Sequence, residues 1–215
     1  LTSLIPAPFP TSAHADRIDS LFVAGTLHAK TYETKEEIID TILTAISNRT
    51  VCTVSYKALS TGTTKTYAIH PLRLLEHDGG LYLFIQISKH DVTRIIAIDR
   101  IDTITPTPET FTDPPDFNPE TILSTTFDLT LEDPVAVTIL FSPDAAGRIR
   151  SRRWASDQGI TEHPDGSLTL TMTPSGRNDV IRWLLSFGSS AEILDPNDIR
   201  QAIISELKSA SSLYS

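Results

Sequence analysis

Residues 66–101 read TYAIHPLRLLEHDGGLYLFIQISKHDVTRIIAIDRI, and this stretch decides the fold of the first half of the chain. Short runs of mainly apolar residues are separated by turn residues, which is typical of β-strands joined by tight turns. We predict strands over residues 66–70, 73–76, 81–87 and 92–98. We expect Pro71 to end the first of them, because proline cannot donate to a strand ladder. The turn His77-Asp78-Gly79-Gly80 is predicted to join the second strand to the third.

The residues before this stretch add a helix and another strand. Thr34 and Glu37 have the spacing of a capping box, which marks the start of a helix. Apolar side chains follow at helical spacing, namely Ile38, Ile42 and Ile46. We predict a helix over residues 35–47 that packs on the sheet through these isoleucines. Residues 51–57 alternate in period two, and five short strands with tight turns favour a small barrel.

The second half of the chain has a different organisation. Residues 107–134 are rich in Thr, Pro and Asp, contain seven acidic residues and no basic one, and are predicted to be a linker with a short helix near 119–123. Beyond it we predict strands over 135–141, 159–163, 168–173 and 191–194, and helices over 143–154, 179–186 and 196–211, the last beginning at Pro196. The order β-α-β-β-α-β is that of a ferredoxin-like module, here with an added C-terminal helix. The predicted fold class is therefore α+β, after an N-terminal linker over residues 1–34 with a weak helical pattern at 13–24.

Composition bounds the function. The 215 residues are 40% hydrophobic and 21% charged, which is ordinary for a globular protein and excludes global disorder. The single cysteine, Cys52, excludes a disulfide framework, and together with six scattered histidines it argues against a metal site. No apolar run approaches the ~20 residues of a membrane span. The net charge of −9 argues against nucleic-acid binding, but the acid is concentrated in 107–134 and both flanking modules are near neutral.

The sequence offers no catalytic motif. It contains no phosphate-loop pattern, no Gly-x-Ser-x-Gly and no His-Glu-x-x-His, so we expect neither an enzyme nor a cofactor. The chain begins at Leu1 and shows no basic segment followed by an apolar one. We therefore interpret it as a piece of a longer cytoplasmic protein.

The middle third of the chain resembles the WYL domain. The resemblance covers residues 35–106 and rests on an ordered set of motifs: His70-Pro71-Leu72-Arg73-Leu74-Leu75, Gly80-Leu81-Tyr82-Leu83, Arg94, and Ile98-Asp99-Arg100-Ile101. Tyr56 fits the tyrosine that ends the first strand of the family, and Leu81-Tyr82-Leu83 fits the motif that names it, with Leu in place of Trp. Residues 133–211 resemble the C-terminal extension that often follows WYL domains.

The resemblance implies a bacterial transcriptional regulator that acts as a homodimer. In this family an N-terminal winged helix-turn-helix binds DNA, and the WYL domain, an Sm-like barrel, senses a ligand. Nucleic acids or nucleotide-like anions are the ligands usually proposed. This chain shows no recognisable helix-turn-helix, and we expect that part to be missing. Leu81, and Ile96 where an aromatic residue is common, reduce the stacking surface for a base.

The candidate ligand site consists of tyrosines, arginines and one histidine on the predicted barrel, namely Tyr56, His70, Arg73, Tyr82, Arg94 and Arg100. Arginine suits an anion site because its planar fork binds phosphate oxygens bidentately. We expect at least two of the three guanidinium groups to point into one cleft. The alternatives stay open: each arginine can be an ordinary surface residue or pair with Asp99, the tyrosines can belong to the core, and His70 can be structural.

A second basic cluster lies on the predicted helix 143–154 and comprises Arg148, Arg150, Arg152 and Arg153. At 100° per residue Arg148 and Arg152 would share one face of this helix, and Arg150 and Arg153 another. Such a helix can follow a phosphate backbone, or it can simply be a solvated face. Trp154 and Trp183 belong to the same module, and they either contribute to a dimer interface or close the core.

The sequence thus predicts the ligand-sensing and dimerisation region of a bacterial transcriptional regulator. It would bind an anionic effector, such as a nucleotide or single-stranded nucleic acid, on the WYL barrel. The alternative is a structural module that only holds subunits of a larger DNA-associated protein together.

Overall fold

The computed structural model describes residues 30–58, 62–89 and 92–214. Its first half contains helix α1 (Glu36–Asn48) and strands β1 (Thr50–Lys57), β2 (Thr64–His77), β3 (Gly80–Ile87), β4 (Val92–Ala97) and β5 (Ile101–Thr110). Short 3₁₀ turns occupy Glu33–Lys35 and Ile98–Arg100. The five strands form one antiparallel sheet in the order β4-β3-β2-β1-β5. The helical pattern at 13–24 lies outside the described residues.

The second half contains α2 (Pro119–Thr125), β6 (Val137–Phe141), α3 (Pro143–Arg150), β7 (Gly159–Glu162), β8 (Leu168–Met172), α4 (Arg177–Leu185), β9 (Ala191–Asp195) and α5 (Asn197–Ser212). Its strands form a second antiparallel sheet in the order β7-β8-β6-β9. The predicted order of strands and helices and the α+β class are confirmed. Pro196 is the N-cap of α5, not its first helical residue. No helix in the described ranges combines the length and apolarity that crossing a bilayer requires.

Helix α1 packs on the first sheet through its apolar face. Ile42 and Ala45 are buried among the strand side chains, and Ile38 and Ile46 pack against the same cluster at its margin. The prediction that these isoleucines contact the sheet is confirmed. The predicted capping box is wrong, because Thr34 lies inside the 3₁₀ turn and no side chain caps the helix.

Pro71 does not end a strand, so the separate strands predicted at 66–70 and 73–76 are one long strand, β2. The pairing of β2 with β1 extends only to Ile69, two residues before the proline. On the other side, the register between β2 and β3 shifts between Pro71 and Arg73. A proline is tolerated at such a bulge, where the ladder is already interrupted.

The turn between β2 and β3 is the one that the sequence predicts. Asp78 and Gly79 both have positive φ angles, +46° and +72°. Two such central residues make a tight two-residue hairpin turn whose twist matches that of the strands. The Gly79 amide donates to Glu76 Oε1 over 3.0 Å and fixes the turn.

Helix α3 is shorter than predicted and ends at Arg150. The chain then turns so that Trp154 packs against the hydrophobic core between the second sheet and its helices, and its indole Nε1 donates to the carbonyl of Ile149 over 3.1 Å. Arg152 and Arg153 consequently lie in a loop, and the predicted two-faced arginine helix is wrong. The Trp154 and Trp183 ring centroids lie 4.7 Å apart, and both partly buried rings pack against this core.

Residues 107–134 pack on both sheets. Strand β5 takes the first four of them, and Phe111 then joins a cluster with Phe84 on the face of the first sheet. Farther on, the amide of Phe127 donates to the carbonyl of Ser175 over 2.9 Å, and the amide of Glu132 donates to Ser175 Oγ over 2.7 Å. This segment is therefore held against the residues that lead into α4.

A candidate ligand cleft between the first sheet and helix α4

A cleft of about 410 Å³ opens where the β4 edge of the first sheet meets helix α4. Three parts of the chain form its walls. The first wall is formed by the first sheet and the 3₁₀ turn after β4, which contribute Tyr56, Tyr82, Arg94, Ile95, Ala97 and Arg100. Residues 128–132 form the second wall, and α4 contributes Asp179 and Arg182. Its volume lies within the range of about 300–1,000 Å³ that is usual for small-molecule sites.

Four of the six predicted site residues come together here. Tyr56 on β1 reaches across to the edge strand, where its hydroxyl oxygen accepts from the Ala97 amide over 3.5 Å. Tyr82 on β3 is paired with the same Ala97. Arg94 is exposed on β4, and Arg100 is half-buried in the 3₁₀ turn that follows. The expectation that two of the three arginines line one cleft agrees with these positions; ligand binding there stays a prediction.

The acid next to Arg100 is bound elsewhere. Asp99 Oδ1 lies 2.9 Å from Lys30 Nζ, and the same ammonium group lies 5.6 Å from the centroid of the Tyr82 ring. Within the described residues, Arg94 and Arg100 form no ion pair with any carboxylate, and the Arg94 guanidinium donates only to the Thr93 carbonyl. Both guanidinium groups are thus available to an anion.

Tyr82 keeps its proton at neutral pH. Burial raises the pKa of its phenol, because partial removal from water destabilises the charged phenolate more than the neutral phenol. The hydroxyl group is therefore able to donate a hydrogen bond to a ligand oxygen.

Arg182, which the sequence does not predict as a site residue, is the third arginine of the cleft. Arg182 Nη2 donates to Asp179 Oδ1, one turn earlier on α4, and the Asp179 side chain is 3% exposed while that of Arg182 is 68% exposed. Asp179 Oδ2 is buried and has no hydrogen-bond partner within the described residues. The i, i+3 spacing of Asp179 and Arg182 is visible in the sequence, but such pairs are common on helices. The spacing does not predict that Arg182 lies near Arg94 and Arg100.

Gly176 makes room for the Asp179 carboxylate. Its φ is +98°, which favours glycine, and a Cβ atom there would lie 2.8 Å from Asp179 Oδ2. The close approach explains why a glycine precedes α4.

The cleft also contains acids, two of which have partners. Asp128 Oδ1 lies 2.9 Å from His77 Nε2, and this contact raises the pKa of His77 and lowers that of Asp128. Asp179 is bound by Arg182, whereas Glu132 is exposed. Asp179 is thus paired with Arg182 and Asp128 with His77, whereas Arg94 and Arg100 have no carboxylate partner within the described residues and remain available to an anion.

His70 and Arg73 do not reach the cleft. His70 Nδ1 lies 3.0 Å from Gln86 Oε1, and its ring stacks on Phe111 with centroids 4.8 Å apart. Arg73 is exposed on β2 opposite Phe84, and Phe84 in turn lies opposite Ile95 of the cleft. The buried Phe84 ring and the segment packed on it separate Arg73 from the site.

The second basic cluster is used within the molecule. Arg150 forms two hydrogen bonds of 2.5 and 2.6 Å with Glu162. The Arg148 guanidinium lies 4.7 Å from the Phe187 ring centroid, and that of Arg152 lies 6.0 Å from the Trp154 ring centroid. Arg153 donates to the carbonyl of Ser156 over 2.6 Å. These four arginines do not converge on one surface site.

A metal centre is not evident in the part of the chain that the structure describes, where no group of three or more His, Cys, Asp and Glu side chains is arranged to hold an ion. The cleft chemistry is that of arginine, tyrosine and carboxylate side chains.

Several known proteins resemble this chain. It is 26% identical over 170 residues to Protein PafC from two Mycobacterium tuberculosis strains, CDC 1551 / Oshkosh and H37Rv, and the match covers 79% of this chain and 52% of PafC. The chain thus spans about half the length of the curated relatives it matches. A crystal structure of a CRISPR Cas-related protein superposes with a TM-score of 0.56 at 11% identity, covering 83% of this chain and 51% of that one. The likeness to this structure concerns the fold.

Two families match consecutive parts of the chain. Residues 37–106 match the WYL domain, and the match covers most of α1, strands β1 to β4 and the first part of β5. Residues 133–211 match the WCX domain, which contains the second sheet with α3, α4 and most of α5. The chain is therefore a WYL-domain protein in which the WYL domain is followed by a WCX domain.

Proposed function

We propose that this chain is the effector-binding region of a bacterial transcriptional regulator, and that the effector is an anion held in the cleft between the WYL and WCX domains. The observation that carries the proposal is the convergence of Arg94 and Arg100 with Tyr56 and Tyr82, while Asp99 is bound by Lys30. Nucleotides and short single-stranded nucleic acids are the anions that this chemistry fits best.

The chemistry follows from the side chains. Guanidinium groups bind phosphate oxygens through paired N–H donors and keep their charge when they are partly desolvated. Tyr56 and Tyr82 offer ring faces and hydroxyl groups at the same edge of the sheet. The volume of about 410 Å³ suits one nucleotide or a short segment of a strand.

We also propose an Sm-like barrel for the WYL domain and a ferredoxin-like arrangement for the WCX domain. Five antiparallel strands in the order β4-β3-β2-β1-β5, with a helix packed on them, support an Sm-like barrel for the WYL domain. In the WCX domain, β6 lies between β8 and β9 in a β-α-β-β-α-β order, which supports a ferredoxin-like module. Residues 107–134 would act as the acidic connector between the two domains.

On this proposal the chain works in the cytoplasm as part of a homodimer. A separate winged helix-turn-helix would bind DNA, and effector binding in the cleft would change the position of that helix-turn-helix relative to DNA.

A structural role is the second candidate. Large apolar side chains are exposed on the last strand, on the terminal helix and at its C-cap: Leu194 is 45%, Leu207 50% and Leu213 81% exposed. Such side chains are what an interface between subunits would cover. A module that only holds two subunits together would need this surface and not the cleft.

The test is the binding of a short fluorescein-labelled single-stranded oligonucleotide, followed by fluorescence anisotropy over a series of salt concentrations. Phosphate contacts make the logarithm of the binding constant fall linearly with the logarithm of the salt concentration. The double variant Arg94→Ala/Arg100→Ala should lose most of the binding while the chain stays folded. Arg73→Ala, on the same sheet but outside the cleft, is the matched control and should bind like the unchanged chain.

Two results would overturn the proposal. One is binding that the double variant retains in full. The other is a failure of the unchanged chain to bind the oligonucleotide, mononucleotides or pyrophosphate at low salt, which would favour the structural role.

A further inference from the structure

We propose that Arg182 is a third anion-binding residue of the cleft, that Asp179 positions it, and that the effector therefore bridges the WYL and WCX domains. The inference rests on the proposed function, because it concerns the same cleft. It goes beyond it by assigning part of the site to the WCX domain.

Asp179 gives Arg182 a fixed anchor. Its side chain is 3% exposed and belongs to the first turn of α4, where the helix dipole favours a carboxylate. One carboxylate oxygen accepts from Arg182 Nη2, and the other is buried without a partner in the described part of the chain. Removal of Arg182 from this contact would leave a buried charge unpaired, which is costly. The arginine is therefore held in place.

Arg182 still has donors to offer. A guanidinium group carries five N–H donors in a fixed plane, and the contact with Asp179 uses Nη2. The side chain is 68% exposed and lines the same cleft as Arg94 and Arg100. A phosphate in this cleft therefore has arginines from both domains among its neighbours.

The wall between these arginines is also fixed to both domains. Asp128 contacts His77 of the WYL domain. Thr130 and Glu132 contact the Ser175 hydroxyl group, which directly precedes Gly176 and α4. A ligand that contacts Arg100 and Arg182 together therefore stabilises the arrangement of the two domains in which the cleft is formed.

The first experiment compares Arg182→Ala with Arg177→Ala in the anisotropy assay described above. Arg177 lies on the same helix but pairs with Asp198 and does not line the cleft. We expect Arg182→Ala to weaken binding on the order of tenfold, the loss of one charge-assisted hydrogen bond. The salt slope should also fall by about 1, as for one lost phosphate contact. Arg177→Ala should change neither.

The second experiment tests whether Asp179→Asn strengthens or weakens anion binding. Asp179→Asn removes a negative charge from the cleft, which by electrostatics alone would strengthen anion binding. If Asp179 positions Arg182, the same substitution weakens binding instead, because the arginine loses its anchor. We expect weaker binding, several-fold; unchanged or stronger binding would overturn the positioning role of Asp179.

The double variant Asp179→Asn/Arg182→Gln guards against misfolding. It removes the cation without leaving a buried carboxylate unpaired, and its melting temperature reports on folding. We expect it to stay folded and to bind as weakly as Arg182→Ala. If Arg94→Ala/Arg100→Ala abolishes binding while both Arg182 variants bind like the unchanged chain with an unchanged salt slope, this inference is wrong and the proposed function stands. If the unchanged chain binds no anion, the proposed function itself fails.

Discussion

His77 Nε2 lies 2.9 Å from Asp128 Oδ1, and this pair ties the β2–β3 turn of the WYL domain to the segment that leads into the WCX domain. Phe127, the residue before Asp128, packs in the WCX core against Trp183 with ring centroids 4.9 Å apart. The ion pair therefore connects two parts that have separate hydrophobic cores.

The pair makes stability depend on pH. The hydrogen bond to Asp128 raises the pKa of His77, so the histidine contribution is complete below its ordinary value of 6.5 and is lost as pH rises through the raised pKa. The pKa of Asp128 is lowered, so its contribution is present above 3.8 and is lost as pH falls through the lowered pKa. The pair should stabilise the chain most between these two ordinary values. Asp128→Asn should lower the free energy of unfolding by up to about 1 kcal/mol near pH 5.5, and by less near pH 8.5.

Urea denaturation at the two pH values measures this difference. Asp116→Asn is the control, because Asp116 is exposed on the same segment and forms no ion pair within the described residues. Equal destabilisation of the Asp128 variant at both pH values would show that the pair does not cause the pH dependence.

A comparison of two glycines tests the packing around Asp179. Gly176→Ala places a Cβ atom 2.8 Å from the Asp179 carboxylate at a φ of +98°, so we expect a loss of about 1–3 kcal/mol. Gly147 lies inside α3, and a Cβ atom there has nothing within 4 Å. Gly147→Ala should therefore stabilise the chain by up to about 1 kcal/mol. The urea midpoints of the two variants should move in opposite directions; a shift in the same direction would contradict the packing described here.

The thiol of Cys52 should be unreactive in the folded chain. Cys52 is 0% exposed, and burial raises its pKa to about 11. Little thiolate exists at pH 8, and the thiolate is the reactive form. We expect iodoacetamide to label Cys52 slowly without denaturant and rapidly in urea, as followed by mass spectrometry. Rapid labelling of the folded chain would show that β1 opens locally.

Self-association is testable by light scattering over a dilution series. For the proposed homodimer we expect a mass twice that of one chain, held by an interface of roughly 1,000 Å² or more. Leu207→Glu on α5 should shift the mass to that of one chain. Leu43→Glu on α1 is the control, since Leu43 is exposed to a similar extent, 47% against 50%. A mass of one chain for the unchanged protein at tens of micromolar would contradict dimerisation through the WCX domain.

Local patterns of the sequence predict most of the secondary structure. Strands β3 and β4, the Asp78-Gly79 turn and the isoleucines of α1 each depend on residues within a few positions of one another, and each prediction is confirmed. The errors occur where a distant contact overrides the local pattern. Pro71 stays within a strand because the pairing of β2 with β1 stops at Ile69, and α3 ends early because Trp154 turns back into the WCX core.

The sequence by itself determined the two modules, their order, the family resemblance and four of the residues that line the cleft. Only the tertiary structure decided which basic residues meet. Arg73 is excluded from the cleft, because the buried Phe84 lies between Arg73 and the cleft. Asp99 forms an ion pair with Lys30 and not with an arginine of the cleft. The tertiary structure also added Arg182, which is distant from Arg100 in the chain but lines the same cleft. The physical reason is that side-chain periodicity reports the face of an element on which a residue lies, whereas a site between domains depends on how those faces are packed together.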